Sequence, residues 1–191
     1  MKALKSTLLA TIFASTPAFA FDDNRQGFML GIGGGFTTLK AGTYESNGST
    51  WSAPEYGLAT SFKMGWGITD QVALSYVQND SWYREYYSSS APKQSTFTIG
   101  ISGIGVTYFM EPTAPCSYIL AAAGVGYTAT PFETSDHRET GHAFMFGGGY
   151  EYEKHFTVEG TILVANYDSG AAPAVNLKSS ALQITLNYLF Y

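Results

Sequence analysis

The stretch HFTVE has the residue types of a hydrolase site. His155, Thr157 and Glu159 alternate along it, so in an extended strand their side chains would share one face. A catalytic set of this kind needs a nucleophile, a base and an orienting acid within hydrogen-bond reach of one another. Threonine is a poor nucleophile in this setting, and we therefore predict that the chain is not an enzyme.

A second group of residues has the types that bind metal ions. Asp136, His137, Glu139 and His142 fall close together, and carboxylates and imidazoles are common zinc ligands. A solvated acidic loop contains the same residues, and we favour that interpretation. The glycine run GIGGG, residues 31–35, could suggest a phosphate-binding loop, but no crossover helix follows it, as such a loop requires. We expect neither a metal nor a cofactor.

Three charged residues lie among small neighbours. Lys63, Glu151 and Glu159 each occupy the face of an alternating segment that otherwise carries small or polar residues. If that face lines an interior, these charges must pair, because an isolated ion is costly to remove from water. We predict that the three residues form a structural polar network, and the alternative is a gate for ions.

The segment SWYREYY combines the side chains that dominate binding hot spots. Its aromatic and basic residues are Trp82, Tyr83, Arg84, Tyr86 and Tyr87, and Trp, Tyr and Arg are enriched where proteins recognise partners. The hypothesis is that this segment recognises a surface partner. The alternative is that it extends an aromatic girdle at a membrane interface.

The elements that must position these residues are short alternating segments. In LQITLNYLFY, which ends the chain, large apolar residues alternate with polar ones, the period of a β-strand with one apolar face. The pattern recurs in GFMLGIGGGFTTL and YGLATSFKMGWGI, and it starts again near residues 72, 97, 118, 142 and 156. Eight strands are therefore predicted. The fourth changes parity near Ser102 and Gly103, which predicts a β-bulge.

The connections between these segments alternate in length. The long ones span residues 40–55, 78–94, 130–141 and 168–178, whereas ITDQ and EKH are tight turns. This alternation predicts antiparallel up-and-down strands with two different ends, and tight turns at one end with long loops at the other are typical of an outer-membrane barrel. We predict an all-β fold, an eight-stranded closed transmembrane barrel with its long loops outside the cell.

The aromatic residues support a membrane location. Those expected near the tight turns are Trp66, Tyr108, Tyr150, Tyr152, Phe156, Tyr188 and Phe190. A ring of aromatic residues marks the membrane interface of a barrel, so the apolar face should contact lipid. A soluble sandwich is the alternative. The opposite, glycine-rich face would line a lumen that side chains fill.

The N-terminus and the charge fit an exported protein. Lys2 and Lys5 precede a short apolar run and the sequence AFA, the pattern of a cleavable signal peptide. We predict a signal peptide over residues 1–20 and a barrel domain over residues 21–191. Loss of the two lysines takes the formal charge from −5 to −7, and so acidic a chain is a poor partner for nucleic acid. Cys116 is the single cysteine, so no disulfide forms within the chain.

The segments GFMLGIGGGF, GWGITDQVALSY, AAAGVGYT, GGGYEY and LQITLNYLFY resemble eight-stranded outer-membrane β-barrel proteins, the OmpA- and OmpX-like group of Gram-negative bacteria. The resemblance covers residues 21–191. It implies export through the periplasm, insertion by the barrel-assembly machinery, and contact with outer-membrane lipid and lipopolysaccharide. In that family an outward aromatic residue near the end of the last strand is the assembly signal. Phe190 has the matching parity, and Tyr191 follows it.

The predicted function is a structural or adhesin-like role at the cell surface. Long loops would present themselves to host or phage surface molecules, and the lumen would be filled. One alternative is a channel for small solutes or hydrophobic ligands. A lipid-modifying enzyme is less favoured, because the H-x-S pattern of lipid A deacylases does not occur in the chain.

Overall fold

The computed structural model describes residues 24–40, 54–86, 94–129, 131, 138–168 and 176–191. The predicted signal peptide and large parts of the predicted long loops lie outside these residues. The described chain forms eight strands: β1 (Gly27–Lys40), β2 (Pro54–Gly67), β3 (Val72–Tyr86), β4 (Gln94–Phe109), β5 (Cys116–Ala129), β6 (Glu139–Glu153), β7 (Phe156–Asp168) and β8 (Asn176–Phe190). This part of the chain holds no helix that is long and apolar enough to cross a membrane.

The eight strands pair in sequence order and close into a barrel. The closing contact joins β1 to β8 in an antiparallel register that runs from Leu30 opposite Phe190 to Lys40 opposite Ser180. Closure is required in lipid, because an open sheet edge would leave backbone N–H and C=O groups unpaired in hydrocarbon. The predicted fold class and strand number are confirmed.

Both predicted tight turns are present at one end of the barrel. Between β2 and β3, the Thr69 hydroxyl accepts hydrogen bonds from the backbone N–H groups of Gln71 at 3.2 Å and Val72 at 3.0 Å, which fixes the turn. Between β6 and β7, His155 adopts a φ of 74°. That is the left-handed region, which histidine enters more readily than most residues.

The strands are longer than the sequence pattern predicts. They contain from 13 to 16 residues, whereas about ten are enough to cross the apolar band of a membrane. β3 continues as far as Tyr86, which lies opposite Gln94 of β4. The prediction of a loop over residues 78–94 is therefore wrong for residues 78–86, which are strand. The other predicted long loops likewise lose a few residues at their edges to strands.

Side chains alternate between the wall and the interior, as β8 illustrates. Gln183 and Thr185 are buried, whereas Leu182, Ile184 and Leu186 are 46%, 57% and 63% exposed. An apolar surface of this extent would favour aggregation in water and suits contact with hydrocarbon. The apolar face thus points outward on β8.

The predicted β-bulge in β4 is wrong. β4 keeps a continuous register through Ser102 and Gly103 with both β3 and β5. The change in the sequence pattern has another cause. On the extracellular side of Ile104, the outward positions of β4 are polar or small, from Ser102 back to Thr96, while Ile99 and Ile101 fill the interior.

Candidate functional site

Lys63 and Glu159 meet across the lumen. The Lys63 ammonium donates to Oε2 of Glu159, to which the Tyr118 hydroxyl also donates at 2.9 Å. The side chain of Glu159 is fully buried, and that of Lys63 is 11% exposed. A buried ion pair is stable only when further hydrogen bonds satisfy its atoms, and Tyr118 provides one of them.

Glycines leave the space that this pair needs. Gly31 of β1 lies opposite Lys63, and Gly149 of β6 lies opposite Glu159. A Cβ at Gly149 would overlap the Tyr118 ring, so the tyrosine reaches the carboxylate because this position lacks a side chain. The expected opposition of Glu159 and Gly149 is present in the barrel.

Glu151 pairs with Arg25, not with Lys63. Arg25 lies just before β1 and is 2% exposed, and Glu151 is fully buried. The Tyr191 hydroxyl donates to the other carboxylate oxygen of Glu151 at 2.7 Å. Burial and this carboxylate raise the pKa of Tyr191, so the phenol stays a neutral donor. The structure therefore divides the predicted three-residue network into two pairs.

Arg25 links the connections at the tight-turn end. Its Nη1 donates to the carbonyl oxygens of Asp70 at 3.3 Å and Glu111 at 2.8 Å, which belong to the β2–β3 and β4–β5 connections. Its Nη2 donates to Cys116 Sγ at 3.0 Å and to Glu151. We call this set of contacts the Arg25 clasp. The sequence did not indicate Arg25 as a site residue, because it precedes the first strand and no periodicity fixes its direction.

The opposite half of the lumen is polar and filled. Gln183 Nε2 donates to Ser81 Oγ at 2.8 Å, and Gln183 Oε1 accepts from Asn79 at 3.1 Å and from Thr161 at 3.2 Å. All four side chains are buried. These uncharged groups pair with one another, as most polar groups removed from water do, although Asn79 Oδ1 has no partner among the described groups.

The candidate recognition residue Tyr83 lies inside the barrel. It is 1% exposed, and its hydroxyl is 3.0 Å from Thr37 Oγ1. The outer surface does not present this ring, which corrects its assignment to the recognition segment. The error arose because β3 extends further than the sequence pattern indicated, so strand alternation still governs position 83.

The other candidate recognition residues of this segment differ in their positions. Trp82 and Arg84 face outward from β3, and Nε1 of Trp82 donates to Thr60 Oγ1 at 2.9 Å. Arg84 is exposed. Tyr86 is the last residue of β3, and its side chain lies outside the described part of the structure, as does the whole of Tyr87.

The two C-terminal residues point in opposite directions. Phe190 packs against Tyr188 on the outer wall, with ring centroids 4.5 Å apart. Tyr191 turns inward, is 4% exposed, and lies 4.7 Å from the His155 ring. Phe190 is thus the last outward aromatic residue, and its role as an assembly signal stays a prediction.

A polar cluster on the outer wall was not predicted. Asp80 of β3 accepts hydrogen bonds from the Tyr127 hydroxyl and, at 3.2 Å, from Gln78. Gly100 of β4 lies between Asp80 and Tyr127 and lacks the Cβ that would overlap both. Asp80 is only 7% exposed. The sequence signal for this cluster is the loss of apolar outward residues in β4, the same pattern that predicts a bulge there.

The remaining motifs take other positions. Thr157 Oγ1 lies 3.2 Å from the Tyr118 hydroxyl, whereas the His155 ring packs against Tyr191 in the turn. Glu139 and His142 are three residues apart on β6 and so face opposite sides of the wall. Asp136 and His137 lie outside the described residues, and GIGGG lies within β1. No group of three or more metal-ligating side chains occurs in the part of the chain that the structure describes.

Solved structures of outer-membrane proteins share this fold. Ail, the attachment invasion locus protein of Yersinia pestis, is 13% identical with a TM-score of 0.55, and the match covers 85% of this chain and 99% of Ail. Neisserial surface protein A is 14% identical with a TM-score of 0.52, over 84% and 96% of the two chains. OprG from Pseudomonas aeruginosa is 14% identical with a TM-score of 0.51, over 90% and 99%. At these identities the likeness concerns the fold alone. No curated protein matches the sequence.

A family comparison covers almost the whole chain. The model of a family described as "Outer membrane protein beta-barrel domain" matches residues 6–190. The closed sheet and its outward apolar residues agree with that match. The chain therefore belongs to the outer membrane protein β-barrel domain family and is an integral protein of the outer membrane.

Proposed function

We propose that the protein is a non-enzymatic barrel that interacts with other molecules at the cell surface. The filled lumen is the observation that supports this most. The Arg25 clasp occupies the periplasmic end of the lumen, and the Lys63–Glu159 pair lies farther along the barrel axis. The hydrogen-bonded side chains around Gln183 occupy the extracellular half. An interior packed in this way favours a role for the outer surface over one for the lumen.

The extracellular ends of the strands provide the surface that such a role needs. β3 and β4 stay paired as far as Tyr86 opposite Gln94, so both ends of the connection over residues 87–93 start from paired strands. Ail, which shares the fold, has been crystallised with the heparin analogue sucrose octasulfate. For this chain we propose binding at the cell surface in general, and not binding of that ligand.

Attachment of living cells tests the proposal. Cells that produce the protein should attach to layers of cultured animal cells severalfold better than cells without it. Replacement of residues 87–93 by a short Gly/Ser turn should remove the gain at an unchanged surface amount. The same replacement of residues 169–175 is the matched control. Equal attachment with and without the protein would contradict the proposal.

Two measurements test the alternative functions. A channel would give discrete conductance steps in planar bilayers, and we expect none from the refolded protein. A lipid-modifying enzyme would change the lipid composition of producing cells, and mass spectrometry of their lipids should detect no new species. Either positive result would replace the surface role as the primary function.

A further inference from the structure

The outer wall of the barrel carries hydrogen-bonded polar side chains across β3, β4 and β5. At the corresponding level of β8, the outward residues Leu182 and Ile184 are apolar and exposed. On the three other strands, five outward side chains contact one another through their polar atoms. We call them the outer polar cluster, and its members are Tyr76, Gln78, Asp80, Ser102 and Tyr127.

The outer polar cluster lies at the depth of the hydrocarbon. Tyr108, an aromatic residue of the periplasmic interface, lies opposite Val72, where β3 begins. Gln78 and Asp80 follow Val72 by six and eight residues. At about 3.3 Å per residue and a tilt of about 40°, they lie about 15 and 20 Å above that interface, within an apolar band about 25 Å tall. Polar groups at this depth are costly, and they commonly mark a functional contact.

The wall around the cluster has little relief. A Cβ at Gly100 would overlap Asp80 and Tyr127, so this glycine lets the two side chains lie across β4. On β5, the outward residues Ala121 and Ala123 are small and exposed. Small residues let two surfaces inside a membrane approach closely enough for polar groups to bond between them.

The hydrogen bonds within the cluster leave a donor and an acceptor unused. The Tyr76 hydroxyl lies 2.8 Å from Ser102 Oγ and 3.2 Å from Gln78 Oε1, but its one hydrogen can serve only one of them. When it serves Ser102, the shorter contact, the Ser102 hydrogen and Gln78 Oε1 keep no partner among the described groups. Both residues are partly exposed at the wall, and hydrocarbon supplies no partner. A second copy of the same surface supplies both the missing acceptor and the missing donor.

We infer that the outer polar cluster is the contact surface between two copies of this chain in the membrane. Both copies insert in the same direction, so the two-fold axis of a symmetric pair runs along the membrane normal. An axis between β3 and β4 sets each residue of β3 against its β4 neighbour in the other copy, provided that the two have nearly the same height.

The strand register meets this condition for one donor and one acceptor. Gln78 lies opposite Ser102, and a strand spacing of about 4.8 Å with a tilt of about 40° separates them by only about 3 Å in height. The Ser102 hydroxyl of each copy then donates to Gln78 Oε1 of the other, which gives two equivalent hydrogen bonds. The inference does not depend on the proposed surface role, because it concerns the wall of the barrel and not its extracellular end.

Sedimentation equilibrium of the refolded protein in density-matched detergent micelles tests the contact. We expect a monomer–dimer equilibrium that shifts toward the dimer as the ratio of protein to detergent rises. Gln78→Leu should lower the association constant about eightfold, because it removes two hydrogen bonds that are each modest in a membrane. A heat-modifiability gel verifies that each variant is folded.

A matched pair of variants separates this surface from the rest of the wall. Ser102→Phe places a ring in the contact and should lower the association constant more than Gln78→Leu does. Gly160→Phe adds the same ring on β7, where a Cβ would meet no atom within 4 Å, and should change the constant less than twofold. Equal losses in the two phenylalanine variants would overturn the inference.

Three other results would also contradict the contact. A wild type that stays monomeric at every ratio of protein to detergent would show that lipid, and not a second copy, covers the cluster. Stronger association of Gln78→Leu would show that apolar area, and not hydrogen bonding, joins the copies. Assemblies that grow beyond the dimer would exclude a closed two-fold contact.

Discussion

At the scale of residues, the Lys63–Glu159 pair depends on its surroundings. Both charges are removed from water, and Tyr118 and the space at Gly149 let the carboxylate keep a second hydrogen bond. Oε1 of Glu159 has no protein partner among the described groups. The pair is therefore costly to assemble and more costly to break, because removing one member leaves the other charged and unpaired.

Removal of one member should destabilise the barrel strongly. Lys63→Met should lower the free energy of unfolding by about 3–5 kcal/mol, whereas Lys63→Met combined with Glu159→Gln should recover part of the loss, because no unpaired charge remains. Urea unfolding of the barrel refolded in detergent measures both. Lys178→Met, at an exposed outward position, is the control and should change little. A double variant whose loss equals the sum of the two single losses would show that the charges do not interact.

Strand alternation explains which of these residues the sequence revealed. Lys63 and Glu159 lie within strands, where period-two alternation fixes the inward direction. The tight turn between β6 and β7 then sets Glu159 opposite Gly149. Arg25 lies outside every strand, so no period indicates that it points inward. Its pairing with Glu151, 126 positions along the chain, could be found only from the closed barrel.

At the scale of elements, apolar alternation predicts the part of a strand inside the membrane and not its full length. The β2–β3 pair shows why. The ladder between β2 and β3 ends at Leu58 and Trp82, whereas β2 stays paired with β1 and β3 stays paired with β4 beyond that point. No residue type in the sequence marks where one ladder ends and the others continue. Pairing outside hydrocarbon is optional, since water can satisfy the backbone there. The extent of each strand is then decided by tertiary contacts.

The last strand yields a prediction about assembly. Phe190→Ala should lower the amount of protein in the outer membrane far more than Leu186→Ala, although both side chains face outward from β8. The reason is that the terminal aromatic is expected to be read by the assembly machinery, while Leu186 contacts only lipid. Quantitative blotting of outer-membrane fractions measures both. Similar losses would indicate a general effect of apolar contact area.

At the scale of the whole molecule, the barrel has two chemically different ends. The turn and connections at Asp70, Glu111 and Lys154 gather at the end that Arg25 closes. The other end carries exposed cations and the connections that the sequence predicts to be long. Because long loops face outward in such barrels, this asymmetry fixes the orientation in the membrane.

Limited proteolysis of intact cells tests that orientation. Trypsin should cleave after Arg138, which is exposed just before β6, and should spare Lys154 in the β6–β7 turn until the outer membrane is permeabilised. Mass spectrometry of the released fragments identifies the cleaved bonds. Arg138→Gln should abolish the first cut. Cleavage after Lys154 in intact cells would mean that the barrel is inserted in the opposite direction.

The Arg25 clasp has a consequence for the order of folding. Its partner Glu151 lies at the far end of the sixth strand, so the clasp forms only after most of the sheet has been assembled. Contacts of such large sequence separation form late, and interactions absent from the transition state govern the unfolding rate more than the folding rate. Arg25→Met should therefore accelerate unfolding in detergent and leave the refolding rate nearly unchanged. The clasp would then serve as a kinetic lock, which delays the opening of a barrel that has already closed.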